Sequence, residues 1–215
     1  MDEPATYTGE LAELFADIIS DVDETIGENK DYGTGIGPHD ENDQIDALVN
    51  EVNAQDTFNG IIYTAKSNPA NVRYSGGQSC DLVIEAYNTM EYCEAKLFRF
   101  QRADQCSSPQ GFSKVFNPYQ DRNPRSFLHD VNKLATADVR VTKTFLGIYY
   151  RPVAGAGTEI TSEDIATKFT NEVGQWTEHI INVDTIAPFS GLRHDVHCRG
   201  AILVWSLDEQ PKQYF

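Results

Sequence analysis

The stretch Asp81-Leu82-Val83-Ile84-Glu85-Ala86-Tyr87-Asn88-Thr89-Met90-Glu91-Tyr92-Cys93-Glu94-Ala95-Lys96-Leu97-Phe98 decides how the rest of the chain is read. It holds two short apolar runs rich in β-formers, residues 81–85 and 91–98, separated by Asn88-Thr89, which is the pattern of a β-hairpin. A turn centred on Tyr87-Asn88 without a bulge sets Asp81 directly across from Glu94. Period-two alternation then puts Lys96 on the face that carries both carboxylates. Opposed carboxylates with Cβ atoms about 5 Å apart repel one another in a bare sheet pair. A hard divalent cation that takes carboxylate oxygens turns that cost into a binding site. Without one, the same side chains are a solvated hairpin face.

Outward from the hairpin, the apolar spacing alternates between helical and strand periods. Leu11, Leu14, Phe15, Ile18, Ile19 and Val22 recur at helical spacing opposite Glu10, Glu13, Asp17 and Asp21, giving an amphipathic helix that ends before Gly27. A Gly/Pro/Asp loop over residues 31–40 precedes a second helix at 41–52, with Asp40 as its N-cap. Residues 58–65 read as a strand and Ser67-Asn68-Pro69 as a turn. After the hairpin, a long loop at 103–125 leads into a helix carrying Phe127, Leu128, Val131 and Leu134. The run Phe145-Leu146-Gly147-Ile148-Tyr149-Tyr150 is apolar on both faces and reads as a central strand. Residues 162–173 form another helix, with Ile165, Phe169, Val173 and Trp176 in register, and 201–205 a final buried strand. The class is therefore α/β. With 215 residues and no convincing interdomain linker, one domain is expected.

Charge is distributed unevenly. The formal net charge is -16, and residues 1–56 hold sixteen acids against the single base Lys30. The remainder is close to neutral, and residues 97–151 carry nine bases against four acids. That basic stretch directly follows the hairpin and offers an electrostatic footprint for a polyanion. An acid excess with only eight lysines also suits a host of high ionic strength. No apolar stretch approaches the length of a bilayer span, and the N-terminus is acidic rather than basic-then-apolar, so a cytoplasmic protein without a membrane segment is expected. Cys80, Cys93, Cys106 and Cys198 show no CxxC spacing and read as reduced thiols.

The residues Asp81, Glu94, Ala95 and Lys96 resemble the PD-(D/E)XK nuclease superfamily, with Cys80 standing where the family name has Pro. The resemblance covers roughly residues 35–150. It implies a restriction-endonuclease-like core, a mixed central β-sheet flanked by α-helices, and Mg²⁺-dependent cleavage of DNA phosphodiester bonds. Residues 1–30 are then an acidic N-terminal helix, 35–150 the catalytic core, and 158–215 an extension that completes the fold and can carry specificity. In this reading Asp81 and Glu94, with the Ala95 carbonyl, hold the metal, and Lys96 orients the attacking water or offsets transition-state charge. Glu41, at the start of the preceding helix, is a fourth candidate; a carboxylate there is also stabilised by the helix dipole without any function. Arg99, Arg122, Arg125 and Lys133 are the candidate DNA contacts, and Ser126 and His129 lie on the same helix as Lys133. Double-stranded DNA is the implied substrate and a homodimer the implied assembly.

Other motifs carry less. Glu28-Asn29-Lys30, with Asp17 upstream, repeats the spacing but follows a helical pattern and reads as a frayed helix end. Gly33-Thr34-Gly35-Ile36-Gly37 matches neither a dinucleotide fingerprint nor a P-loop, and reads as a flexible loop. His194, His197 and Cys198 offer three zinc donors with no second cluster, so the segment reads as an entry into a strand. The competing functional class is a non-catalytic, acidic interaction protein in which residues 1–56 mimic nucleic acid or dock on a basic partner.

Overall fold

A computed structural model of the chain describes residues 5–30, 33–67, 80–102, 106, 108–118, 126–137, 140–153 and 160–208. Among them, in chain order, lie α1 (Tyr7–Thr25), α2 (Glu41–Gln55), β1 (Ile61–Thr64), β2 (Leu82–Ala86), β3 (Thr89–Arg99), α3 (Pro109–Val115), α4 (Phe127–Ala135), β4 (Thr142–Tyr150), α5 (Ser162–Trp176), β5 (Ile180–Ser190) and β6 (Arg199–Asp208). The strands form one mixed sheet in the order β1-β2-β3-β4-β6-β5. β3 and β4 run parallel, joined through α4, and the other neighbours are antiparallel.

The hairpin has the register that its sequence predicts. Leu82 pairs with Cys93 and Ala86 with Thr89, which leaves Tyr87 and Asn88 as a two-residue loop. Both take positive φ, 47° and 65°. That is the left-handed pair whose twist matches the strands in a tight hairpin, and Asn accepts it readily. Continuing the register by one residue sets Asp81 opposite Glu94.

Alternation along the strands divides the interior into two layers. Leu82, Ile84, Cys93, Ala95, Leu146, Ile148 and Val204 face α1 and α2, where Leu11, Phe15, Ile19, Leu48 and Val52 are buried. Val83, Phe98, Phe145, Tyr149, Leu203 and Trp205 face α4 and α5, where Phe127, Leu134, Phe169 and Val173 are buried. β4 contributes to both, as its two-sided apolar sequence requires. Phe127 and Phe169 stack at 4.2 Å between centroids and link α4 to α5. Gly147 lies under the ring of Phe98, where any Cβ would collide.

The acidic N-terminal helix is a structural layer of the same sheet. Buried Glu91 of β3 accepts hydrogen bonds from Tyr7 N, Thr8 N and Thr8 Oγ1, meeting the unpaired amides of the first turn of α1. Asp184 of β5 accepts from Ala5 N and Thr6 Oγ1.

Several expectations change. β5 is an eleven-residue strand that the sequence reading lacks, and α3 interrupts the supposed loop at 103–125. β1 is shorter than residues 58–65, and Asn68 and Pro69 of the expected turn lie outside the described residues. Asp40 occupies the N-cap position of α2 but makes no side-chain capping bond. Trp176 ends α5 half exposed, with its indole donating to Glu172. The glycine-rich segment is packed rather than flexible: Ile36 is buried, and its N–H donates to buried Asp23, which also accepts from Arg193 N and Nε. Cys80 and Cys93 are buried reduced thiols, whereas Cys106 is exposed.

Candidate functional site

β2 stops pairing at Leu82↔Cys93, while β3 continues to Arg99. From Glu94 onward β3 has β4 on one side and no described strand on the other. Ala95 and Leu97 present their backbone amides to that open side, because alternate residues of a strand turn their polar groups to opposite edges. Two carboxylates take the place of the missing strand. Ala95 N donates to Asp81 Oδ2 at 2.9 Å, and Leu97 N donates to Glu41 Oε2 at 2.8 Å. The Cys80 thiol donates to the Cys93 carbonyl on the same edge. By the same alternation the Ala95 carbonyl also points there.

Glu94 and Lys96 project from the α4 face of β3. Glu94 is 2% exposed, and its Oε2 lies 2.9 Å from Lys133 Nζ. Lys96 Nζ lies 3.5 Å from Glu41 Oε1 and 3.1 Å from Asp130 Oδ2, so it bridges α2 and α4. Lys133 Nζ also approaches Asp130 Oδ1, one turn back on α4, at 3.6 Å. Asp130 Oδ2 is buried, and the Lys96 ammonium at 3.1 Å is its counter-charge. Four carboxylates therefore surround two ammonium groups, and Asp81 acts electrostatically on Glu41, Asp130 and both lysines.

Burial and charge oppose one another here. Burial raises the Glu41 carboxyl above its ordinary value, against the pull of Lys96, and the Asp130 carboxyl is raised for the same reason. Burial alone would depress Lys96, yet Glu41, Asp130 and Asp81 more than offset it and leave the ammonium firmly charged. Lys133 is likewise raised, with burial overcome chiefly by Glu94. A strongly held ammonium beside carboxylates suits the ordering of an anion or of a polarised water.

Asp81, Glu94, Lys96, Glu41 and Lys133, all candidates from sequence, thus meet at one sheet edge. Lys133 stands against Glu94 rather than on the outer surface expected of a DNA contact. Arg99 turns away, its Nη1 donating to the Gly37 carbonyl at 3.0 Å. Arg122 and Arg125 lie outside the described residues. Ser126 is the N-cap of α4, accepting from His129 N. Asp130 is the member absent from the sequence-derived candidates; its i, i+3 spacing to Lys133 is the signal that points to it.

His194 and His197 do not converge on a common ion. Their rings stack at 4.7 Å; His194 Nδ1 accepts from the N–H groups of Val196 and His197, and His197 Nε2 bonds the Gln101 carbonyl. Burial lowers the His197 pKa to about 4, so that ring is neutral. Among the described residues no helix is long and apolar enough to cross a membrane. No protein-family profile, no curated protein and no solved structure matches this chain.

Proposed function

We propose that the chain is a Mg²⁺-dependent endodeoxyribonuclease with a restriction-endonuclease-like core, hydrolysing DNA phosphodiester bonds by activated water. The observation that carries this reading is the open edge of β3, with Asp81 opposite Glu94, Lys96 two residues on, and Glu41 bonded beside them.

The donor chemistry fits the metal. Asp81, Glu94 and the Ala95 carbonyl are all oxygen donors, as a hard cation requires, and the cluster keeps an excess of negative charge. Among the described residues no three such side chains stand in a ready-made coordination group. The two lysine ammonium groups lie among the carboxylates instead. When bound, Mg²⁺ supplies polarisation of the phosphate and a more acidic water. Lys96 stays charged between Glu41 and Asp130 and offers N–H donors to an anionic oxygen at the edge. Burial pushes the Cys93 thiol well above its ordinary pKa, so it stays protonated and is no covalent nucleophile. Double-stranded DNA as substrate and a homodimeric assembly belong to the same reading; light scattering tests the second.

A second reading, an acidic interaction protein that docks on a basic partner, draws on two observations. Glu10, Asp17 and Asp21 are exposed along α1. Several bases are engaged within the fold: Arg99 on the Gly37 carbonyl, Lys143 on the Ala135 and Ala137 carbonyls, and Arg193 on Asp23. Plasmid incubated with the protein in Mg²⁺, in Mg²⁺ with EDTA, and in Ca²⁺ alone separates the two. Nicking that requires Mg²⁺ supports the nuclease. An uncut plasmid under all three conditions sinks it.

A further inference from the structure

We infer that Lys133 is the resident counter-ion of Glu94, a tethered cation that a divalent ion must displace, and that Asp130 is the seat to which it moves. The inference rests on the metal-dependent reading above and adds an exchange step to it.

Glu94 is almost wholly removed from water, and a carboxylate in that position requires a compensating charge. Lys133 Nζ supplies one at 2.9 Å. The lysine arrives from a different element, α4, and not from the hairpin that carries Asp81 and Glu94. It therefore leaves Glu94 without moving any strand of the site. Its second neighbour, Asp130 Oδ1, lies 3.6 Å away on the preceding turn of the same helix. The ammonium thus sits between one carboxylate assigned to the metal and one that is not.

A divalent ion on Asp81 and Glu94 and an ammonium on the same Glu94 oxygen are like charges in contact within a poorly solvated pocket. Both cannot hold that position. A Lys head on four methylenes reorients over such a distance by rotamer changes alone. Asp130 accepts it without helix movement, because its Oδ1 already lies 3.6 Å from Lys133 Nζ while Lys96 holds Oδ2. Cation affinity is then set by competition with Lys133. The released ammonium stays at the edge, beside Lys96, rather than being lost to solvent.

Calorimetric titration of the full chain with Ca²⁺ tests this, using wild type, Lys133→Gln, Asp130→Asn and the double variant. Gln keeps an N–H donor for Glu94 while removing the charge. Close charge pairs couple by more than the equivalent of one decade in affinity, so Lys133→Gln is expected to bind Ca²⁺ about tenfold tighter or more. Asp130→Asn is expected to bind more weakly, and that loss should vanish in the double variant, where no ammonium needs a seat. Nitrogen NMR of the lysine ammonium groups in the wild type reads the same event directly and decides the matter if a variant fails to fold. The Lys133 signal is expected to shift on Ca²⁺ saturation. Unchanged or weaker Ca²⁺ binding by Lys133→Gln, absence of Ca²⁺ binding in every variant, or an unmoved Lys133 signal overturns the exchange. Tighter binding by Lys133→Gln in a protein whose wild type leaves plasmid uncut sinks the hydrolytic reading and leaves the exchange standing.

Discussion

Replacing Lys96 by Met removes the ammonium and keeps an unbranched apolar stem of similar length. In the folded protein that ammonium lies 3.5 Å from Glu41 and 3.1 Å from Asp130. At an effective dielectric of about 20, each contact is worth roughly 5 kcal/mol of gross Coulomb energy. Most of this is cancelled by the cost of taking three charges out of water. What remains when one partner of a buried pair is deleted is about 3–5 kcal/mol, because the surviving charges are stranded. For a chain of this size each kcal/mol moves the melting temperature by about 2–4 °C, so a fall of roughly 10 °C at about pH 7.5 in EDTA is expected.

The pH dependence gives a second, sharper readout. Glu41 and Asp130 already have folded-state pKa values raised above their ordinary ones. Losing Lys96 raises them further. A carboxyl with a raised folded pKa binds more protons folded than unfolded, so stability falls as pH rises through the interval between the two values. The variant should therefore recover toward wild type in acid, as the stranded pair protonates. Wild type shows the same trend over a narrower interval, because its two carboxyls are raised less. Its Lys96 pKa is raised on folding, so that contribution is complete at neutral pH and fades only when pH climbs through the folded value. Circular-dichroism melts across pH provide the test. A Lys96→Met variant within about 2 °C of wild type at about pH 7.5, or a gap that does not narrow in acid, refutes the reasoning.

Asp81→Asn and Glu94→Gln should each abolish plasmid cleavage in Mg²⁺ while the variants remain folded by circular dichroism; wild-type cleavage by either rules out the assigned roles. Asp23→Ala removes the acceptor for Ile36 N, Arg193 N and Arg193 Nε, and strands buried amides. Urea unfolding should show a loss of about 3 kcal/mol, and a loss under about 1 kcal/mol would contradict that account. Gly147→Ala forces a methyl into the Phe98 ring and should cost about 1–3 kcal/mol by the same assay. Neutralising Glu10, Glu13, Asp17 and Asp21 to Gln or Asn should tighten DNA retardation at low salt and converge with wild type at high salt; equal binding at low salt makes the acidity irrelevant to DNA.

The hairpin register was legible because local chemistry fixes it. A two-residue loop and strict alternation leave one pairing that buries Leu82 and Ile84. α1, α4 and β4 were legible for similar reasons, through long apolar periods. β5 was not. Asn182, Asp184 and Pro188 read as breakers, yet β5 is an edge strand, where a missing Pro N–H removes no ladder bond. The register shift between Val183 and Thr185 turns Asp184 to a different use, holding the start of α1. Asp130 was obscured because its closer partner, Lys96, comes from β3. Nothing in the sequence around a helical Asp reports which strand its helix crosses. Glu94→Ala, expected from the hairpin alone to relieve repulsion, now leaves Lys133 without its closest carboxylate and should destabilise the chain.

The carboxylates that seal the far half of β3 have a consequence for the behaviour of this protein in a crowded solution. A strand that outruns its neighbour is a template for a foreign strand, and unpaired amides are what such a strand would seize. Ala95 and Leu97 offer none, since Asp81 and Glu41 already hold them. Those side chains also surround the groove with negative charge, which repels an incoming copy of so acidic a chain. The side chains assigned to chemistry thus double as guards against edge-to-edge association. An Asp81 substitution made only to silence the site also opens a sticky flank, and its aggregation should be watched alongside its activity.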